Sequence, residues 1–171
     1  VWSSDGTQSG CVLLATFNGG SNNFRNSVFN DELYFTAPSP LNLSSKSLYK
    51  TDGTITGTTI VKNDLSLVGI NYLDPCGNYL YFSNGQNNTN GYELWRTDGT
   101  DTGTIKLTDN SIPNALTVRE FTCLNNNLFY LHETLPNKVW ATNGFTTTAF
   151  NVNIINSENL SGFESISKLS K

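Results

Sequence analysis

The sequence predicts an all-β protein built from tandem four-stranded antiparallel units of about 45–47 residues. Three observations carry that prediction. A corner motif recurs at near-constant spacing, an apolar marker keeps the same period upstream of it, and the composition favours turns and strand surfaces over helix interiors.

Four segments align: VWSSDGTQSGCVLLATF from Val1, LYKTDGTITGTTIVKND from Leu48, LWRTDGTDTGTIKLTDN from Leu94 and VWATNGFTTTAFNVNI from Val139. Their aromatic anchors are Trp2, Tyr49, Trp95 and Trp140, at intervals of 47, 46 and 45 residues. Upstream of the later anchors stand Leu33-Tyr34-Phe35, Leu80-Tyr81-Phe82 and Leu128-Phe129-Tyr130. Two independent markers on one period define a structural repeat rather than a chance recurrence.

The third unit shows its strands best: LVGINYL, NYLYFSN, YELWRT and GTIKLT, separated by the turn-rich stretches DPCG, NGQNNTNG and DGTDTG. Branched and aromatic residues alternate there with polar ones, as strands in stacked sheets require. Asp-Gly is a strong hairpin signal, because glycine adopts positive φ freely and Asp bonds its own backbone. The pairs Asp5-Gly6, Asp52-Gly53, Asp98-Gly99 and Asn143-Gly144 therefore mark a corner joining the last two strands of each unit. The anchor before each corner suits packing between adjacent sheets, with the indole N–H bonded at an edge. Threonines on both sides of the turn satisfy loose backbone groups.

Sequential four-stranded units of this length are the pattern of β-propeller blades. The expected architecture is a β-propeller or an arc of one: a partial blade over 1–18, blades over 19–64, 65–110 and 111–155, and the first strand of a further blade over 156–171. The chain opens inside a unit and has no methionine. That start is the expectation of a processed chain or a fragment, and it favours an arc over a small four-bladed ring.

The repeats resemble the ELWxTDGTxxGT repeats that recur in tandem in large secreted or surface-exposed bacterial proteins, many from Bacteroidetes. The third unit carries the resemblance through Glu93, Leu94, Trp95, Thr97, Asp98, Gly99, Thr100, Gly103 and Thr104. The second keeps Leu48, Thr51, Asp52, Gly53, Thr54, Gly57 and Thr58, with Tyr49 for Trp, and the first keeps Trp2, Asp5, Gly6, Thr7 and Gly10. The fourth departs, with Asn143 for Asp, Phe145 for Thr and no second glycine. The resemblance implies a propeller-like fold, an extracellular setting and no particular reaction. Such proteins often carry a C-terminal sorting domain, so a type IX secretion cargo is a further implication.

Asn, Ser and Thr account for 62 of the 171 residues, while 14% are charged. The net charge of −4 comes without a basic cluster, which argues against binding a phosphate backbone. No apolar run approaches the roughly 20 residues of a membrane-spanning helix, and the N-terminus shows no signal-peptide pattern. Three cysteines cannot close a disulfide framework. Cys76 and Cys123 fall at nearly the same point of successive units and read as two small buried thiols, with a bridge between neighbouring units as the alternative. Cys11 replaces a repeat threonine and reads as a strand residue.

The corner acids invite a calcium reading, but each turn offers one carboxylate where Ca²⁺ takes six or more oxygens. The exception is a candidate around Asp98, Asp101 and Asp109; otherwise no metal or cofactor is expected. His132, the only histidine, reads as a surface or rim residue, and no G-x-S-x-G elbow accompanies it. Glu133 has no spacing that pairs it with Glu120. The corner also differs from the sialidase-type Asp box, because its aromatic precedes the Asp. Sequons at Asn42, Asn87 and Asn159 are weak evidence of compartment.

These features point to a non-enzymatic scaffold or interaction module for adhesion or display, partnered by a protein or by further blades. Two alternatives stay open. A lectin would use the Asn-rich loops NGGSNN, NGQNNTNG and LNNN, with exposed aromatics such as Tyr72 or Tyr92. A glycosidase or lyase would need acids such as Glu32, Glu93 and Glu120 to converge.

Overall fold

The computed structural model describes residues 1–18, 24–66, 69–85, 91–108, 117–132 and 138–151, which form strands and turns and no helix. Strands β1 (Trp2–Ser3) and β2 (Val12–Leu13) make a short hairpin. Three four-stranded antiparallel sheets follow. The first holds β3 (Asn26–Phe29), β4 (Glu32–Pro38), β5 (Lys46–Thr51) and β6 (Thr59–Ser66). The second holds β7 (Gly69–Cys76), β8 (Tyr79–Gly85), β9 (Tyr92–Thr97) and β10 (Ile105–Lys106). The third holds β11 (Val118–Leu124), β12 (Asn127–His132), β13 (Lys138–Thr142) and β14 (Thr147–Asn151). In each sheet strand order follows chain order, so every connection is a hairpin. The strand expected within 156–171 lies outside the described residues.

The repeated Leu-aromatic-aromatic marker is the second strand of each sheet, and its unbroken apolarity has a direct cause. Successive side chains point to opposite faces, and in the first and second sheets both faces are covered by neighbouring layers. Tyr34 and Leu48 face the second sheet, where they meet Phe82 and Trp95 in one core. Tyr81 and Leu94 repeat that role against Tyr130 and Trp140 of the third sheet. Phe35 and Tyr49 pack back onto Val1 and Phe17 beside the hairpin.

The aromatic anchors pair across strands within their own sheets. Tyr49 lies opposite Phe35, Trp95 opposite Phe82 and Trp140 opposite Tyr130. Ring centroids are 5.5, 6.2 and 6.5 Å apart at interplanar angles of 14°, 25° and 26°. Such cross-strand aromatic pairs stabilise a sheet by about 0.2–1 kcal/mol each. Trp2, on the hairpin, is 65% exposed. The expected edge bond of the indoles is not made: Nε1 of Trp95 and of Trp140 is buried without a partner among the described residues. Tyr49, by contrast, donates its hydroxyl to the Pro38 carbonyl at 3.0 Å.

Three further expectations need correction. The stretch DPCG is not a turn: β7 runs through Pro75 and Cys76, and the chain reverses at Gly77-Asn78. Proline is tolerated because β7 is an edge strand of its sheet. His132 is not a rim residue but 2% exposed. It follows Leu128 and Tyr130 on the inward face of β12, where strand alternation puts it, and packs on Trp140 with ring centroids 4.9 Å apart.

The third correction concerns Cys76 and Cys123, which form a disulfide joining β7 to β11. The two positions are offset by one residue within the repeat. Cys76 pairs with Tyr79 at the hairpin, and its structural counterpart on β11 is Leu124, which pairs with Asn127. Equivalent positions would point the same way from successive sheets. The offset turns Cys123 back towards Cys76, so the sulfurs meet across the interlayer gap. Cys11 stays free and exposed, placed just before β2 rather than within it.

Candidate functional site

The repeated corners are built by their own side chains. Asp98 Oδ1 accepts the Thr100 N–H at 2.9 Å and the Thr100 hydroxyl at 2.7 Å. Thr100 Oγ1 accepts the Gly103 N–H at 2.9 Å, and Thr104 donates its hydroxyl to the Thr100 carbonyl at 2.6 Å. Asp52 and Asp5 reproduce the first three of these bonds. Thr97 Oγ1 accepts the Gly99 N–H at 3.0 Å, as Thr51 does for Gly53, Ser4 for Gly6 and Thr142 for Gly144. In the first corner Cys11 stands at the last threonine's place, its Sγ 3.4 Å from Ser4 Oγ.

Each glycine of the motif has its own reason. Gly6, Gly53, Gly99 and Gly144 hold φ near +92° to +96°, a region L side chains rarely adopt. Gly10, Gly57 and Gly103 sit where an added Cβ would overlap the carboxylate of Asp5, Asp52 or Asp98. Asn143 keeps the turn by accepting the Phe145 and Thr146 N–H groups, both at 3.0 Å. Hydrogen bonds from the Thr100 hydroxyl and N–H hold the Asp98 carboxyl below the ordinary range, and Thr54 acts likewise on Asp52, as does Thr7 on Asp5.

Little of this acidity is free for a metal. Asp98 serves its own turn, while Asp101 pairs with Lys62 of the first sheet at 3.1 Å. Asp109 lies outside the described residues, among which no group of three potential ligands gathers. Glu32 is paired with Lys50 at 2.9 Å and Glu93 with Lys106 at 3.4 Å. Glu120 sits elsewhere, at a bulge of β11. Glu133, Asn87 and Asn159 are outside the described residues, as are most of NGGSNN and NGQNNTNG, while the Asn-rich stretch 124–127 is the tight turn between β11 and β12. Asn42 is exposed and caps its own turn by accepting the Ser44 N–H at 3.0 Å.

A different place brings unlike groups together. Where β3 and β11 approach β7 from either side, a cleft of 540 Å³ is lined by Arg25, Asn71, Tyr72, Asp74, Tyr92 and Arg119, among others. Arg25 Nη2 donates to Asn71 Oδ1 at 3.2 Å. Tyr72 stacks on Phe121 of the third sheet, with centroids 4.9 Å apart. Burial pushes the Asp74 carboxyl above the ordinary carboxylate range, and Arg119 Nε is buried without a partner among the described residues.

The backbone beside the cleft is strained. Tyr72 and Glu120 occupy the same bulge position of successive sheets, with φ of 50° and 57°. Non-glycine residues there cost of order 1–3 kcal/mol and cluster at functional sites. Of the residues singled out from sequence, Tyr72 and Tyr92 meet here, while the corner residues do not. Arg25, Asn71, Asp74 and Arg119 were not anticipated. A signal was present: Arg25, Asn71 and Arg119 follow one another at 46 and 48 residues, which is the repeat period carried by polar rather than apolar side chains.

Neither a family model, nor a curated protein, nor a solved structure matches the chain.

Proposed function

We propose that the three sheets are blades of a β-propeller, or of an arc of one, and that the protein is a non-enzymatic scaffold or interaction module on a bacterial surface or in its secretions. Supporting the propeller reading are meander sheets stacked in chain order with their first strands adjacent. Supporting the extracellular setting is the observation that carries the proposal, the Cys76–Cys123 bridge between layers. Structural disulfides persist in oxidising compartments and are rare in reducing ones. The resemblance of the corners to tandem surface repeats agrees with it, and adhesion or type IX export follows from that resemblance alone.

Thiol titration of the protein from its source, joined to surface proteolysis of intact cells, tests the reading. One reactive thiol, Cys11, and digestion from outside the cell are expected. Three thiols in a protein confined to the cytosol would overturn it.

A second reading, carbohydrate binding, is favoured by one observation: Tyr72, Tyr92, Asn71 and Asp74 converge in a single cleft. Sugar sites combine aromatic faces with a few placed polar groups. A glycan array with the oxidised protein tests this reading, and no binding to any saccharide would remove it.

A further inference from the structure

We propose that the cleft where β3, β7 and β11 meet is a binding site for an acidic saccharide, its carboxylate held by Arg25 and Arg119 and its ring resting on Tyr72 and Tyr92. The inference rests on the carbohydrate-binding reading and names the substrate class of that site.

Charge placement is the first argument. The chain is acidic overall and has three arginines. Two of them line this one cleft, and the third, Arg96, is spent between layers on the Gly144 carbonyl. Neither cleft guanidinium is ion-paired among the described residues, where the three ion pairs all use lysines. Arg25 has a neutral partner in Asn71, and Arg119 Nε has none. An unpaired guanidinium in a half-enclosed site is matched by a carboxylate, which accepts two parallel N–H bonds.

Shape and chemistry of the remaining wall give the second argument. Tyrosine rings offer flat apolar faces with a polar edge, and Asp74 with Asn71 supplies acceptors and donors for hydroxyl groups. A simple anion needs only the arginines. A neutral sugar needs only the rings and the amide. The cleft holds both sets, and a uronic acid uses both. The disulfide fastens the two strands that carry Asn71 to Asp74 and Arg119, so the site is held open before a ligand arrives.

The test is calorimetric titration of the oxidised 171-residue chain with an oligogalacturonide, the neutral galacto-oligosaccharide of equal length, and oligoglutamate. Binding of the oligogalacturonide that weakens with salt, and falls about tenfold in Arg119→Gln and in Arg25→Gln, is expected. Unchanged thermal unfolding of both variants keeps that loss assigned to the site, and the exposed Arg25 supplies a variant that leaves the core intact. Equal binding of the neutral sugar overturns the inference while the carbohydrate reading stands. Preference for oligoglutamate, or no saccharide binding at all, overturns both.

Discussion

Arg96 Nε donates a 2.7 Å hydrogen bond to the carbonyl of Gly144, 48 residues further along the chain. Its guanidinium also lies 4.0 Å from the centre of the Tyr79 ring and 5.3 Å from that of Phe145. The second sheet thus grips the corner of the third with a cation that is 8% exposed. The departure of Phe145 from the repeat threonine has its explanation here, since the ring closes over Arg96 and Tyr79. At the equivalent place in the first sheet Lys50 meets Glu32, both side chains more than a quarter exposed.

Unequal costs follow for the two cations. Arg96→Ala is expected to destabilise by about 2–4 kcal/mol, through a lost charged hydrogen bond, a lost cation–π contact and an orphaned carbonyl. Lys50→Ala should cost less than about 1 kcal/mol, as half-exposed ion pairs do. Urea unfolding of both variants checks this, and a costlier lysine would refute the interlayer role of Arg96.

Reduction should loosen the second and third layers. The bridge closes a loop between residues 47 apart, for which chain entropy gives about 4 kcal/mol as an upper figure. Cys76→Ser with Cys123→Ser should lower the unfolding midpoint by a corresponding amount, and dithiothreitol should do the same to the wild type but not to the double variant.

The second glycine of the corner makes a sharper prediction. Gly103→Ala brings a methyl group onto the Asp98 carboxylate, and overpacking of that kind costs about 1–3 kcal/mol. With Asp98→Ala already in place that overlap is gone, and the same methyl should cost less. A coupling energy near zero in that double-mutant cycle would mean that the carboxylate is not the obstacle.

His132 sets an acid limit. Burial lowers its pKa from 6.5 to about 4, so the unfolded chain takes up the proton at a higher pH than the folded one. Its contribution to stability is complete above pH 6.5, falls as pH drops from 6.5 to about 4, and levels off below, a total of about 3 kcal/mol. The depressed Asp5, Asp52 and Asp98 carboxyls have the opposite chemistry but the same direction, and their loss begins only near their unfolded value of 3.8. A His132→Leu variant should therefore flatten the stability curve between pH 6.5 and 4 and leave the steeper fall below it.

The repeat was legible because it is written in local chemistry. Asp98, Thr100 and Gly103 make their bonds within a few residues of one another, so spacing alone locates the corner. Tyr34-Phe35 and Tyr81-Phe82 show a strand covered on both faces, because alternation needs no knowledge of the partner. The cleft and the disulfide depended on which layer lies beside which. A one-residue offset is written beside each cysteine, four residues from Cys76 to Leu80 against five from Cys123 to Leu128, but that the two face each other follows only once β7 lies beside β11. Arg25, the Asn71-Tyr72 pair and Arg119 lie in three successive sheets and become neighbours only when β3 and β11 pack on β7. The corners and the period are legible in the chain alone because their bonds close within a few residues, and the two-faced strands because their apolarity is unbroken. Which side chains share a pocket is settled by packing, since it depends on the stagger between layers.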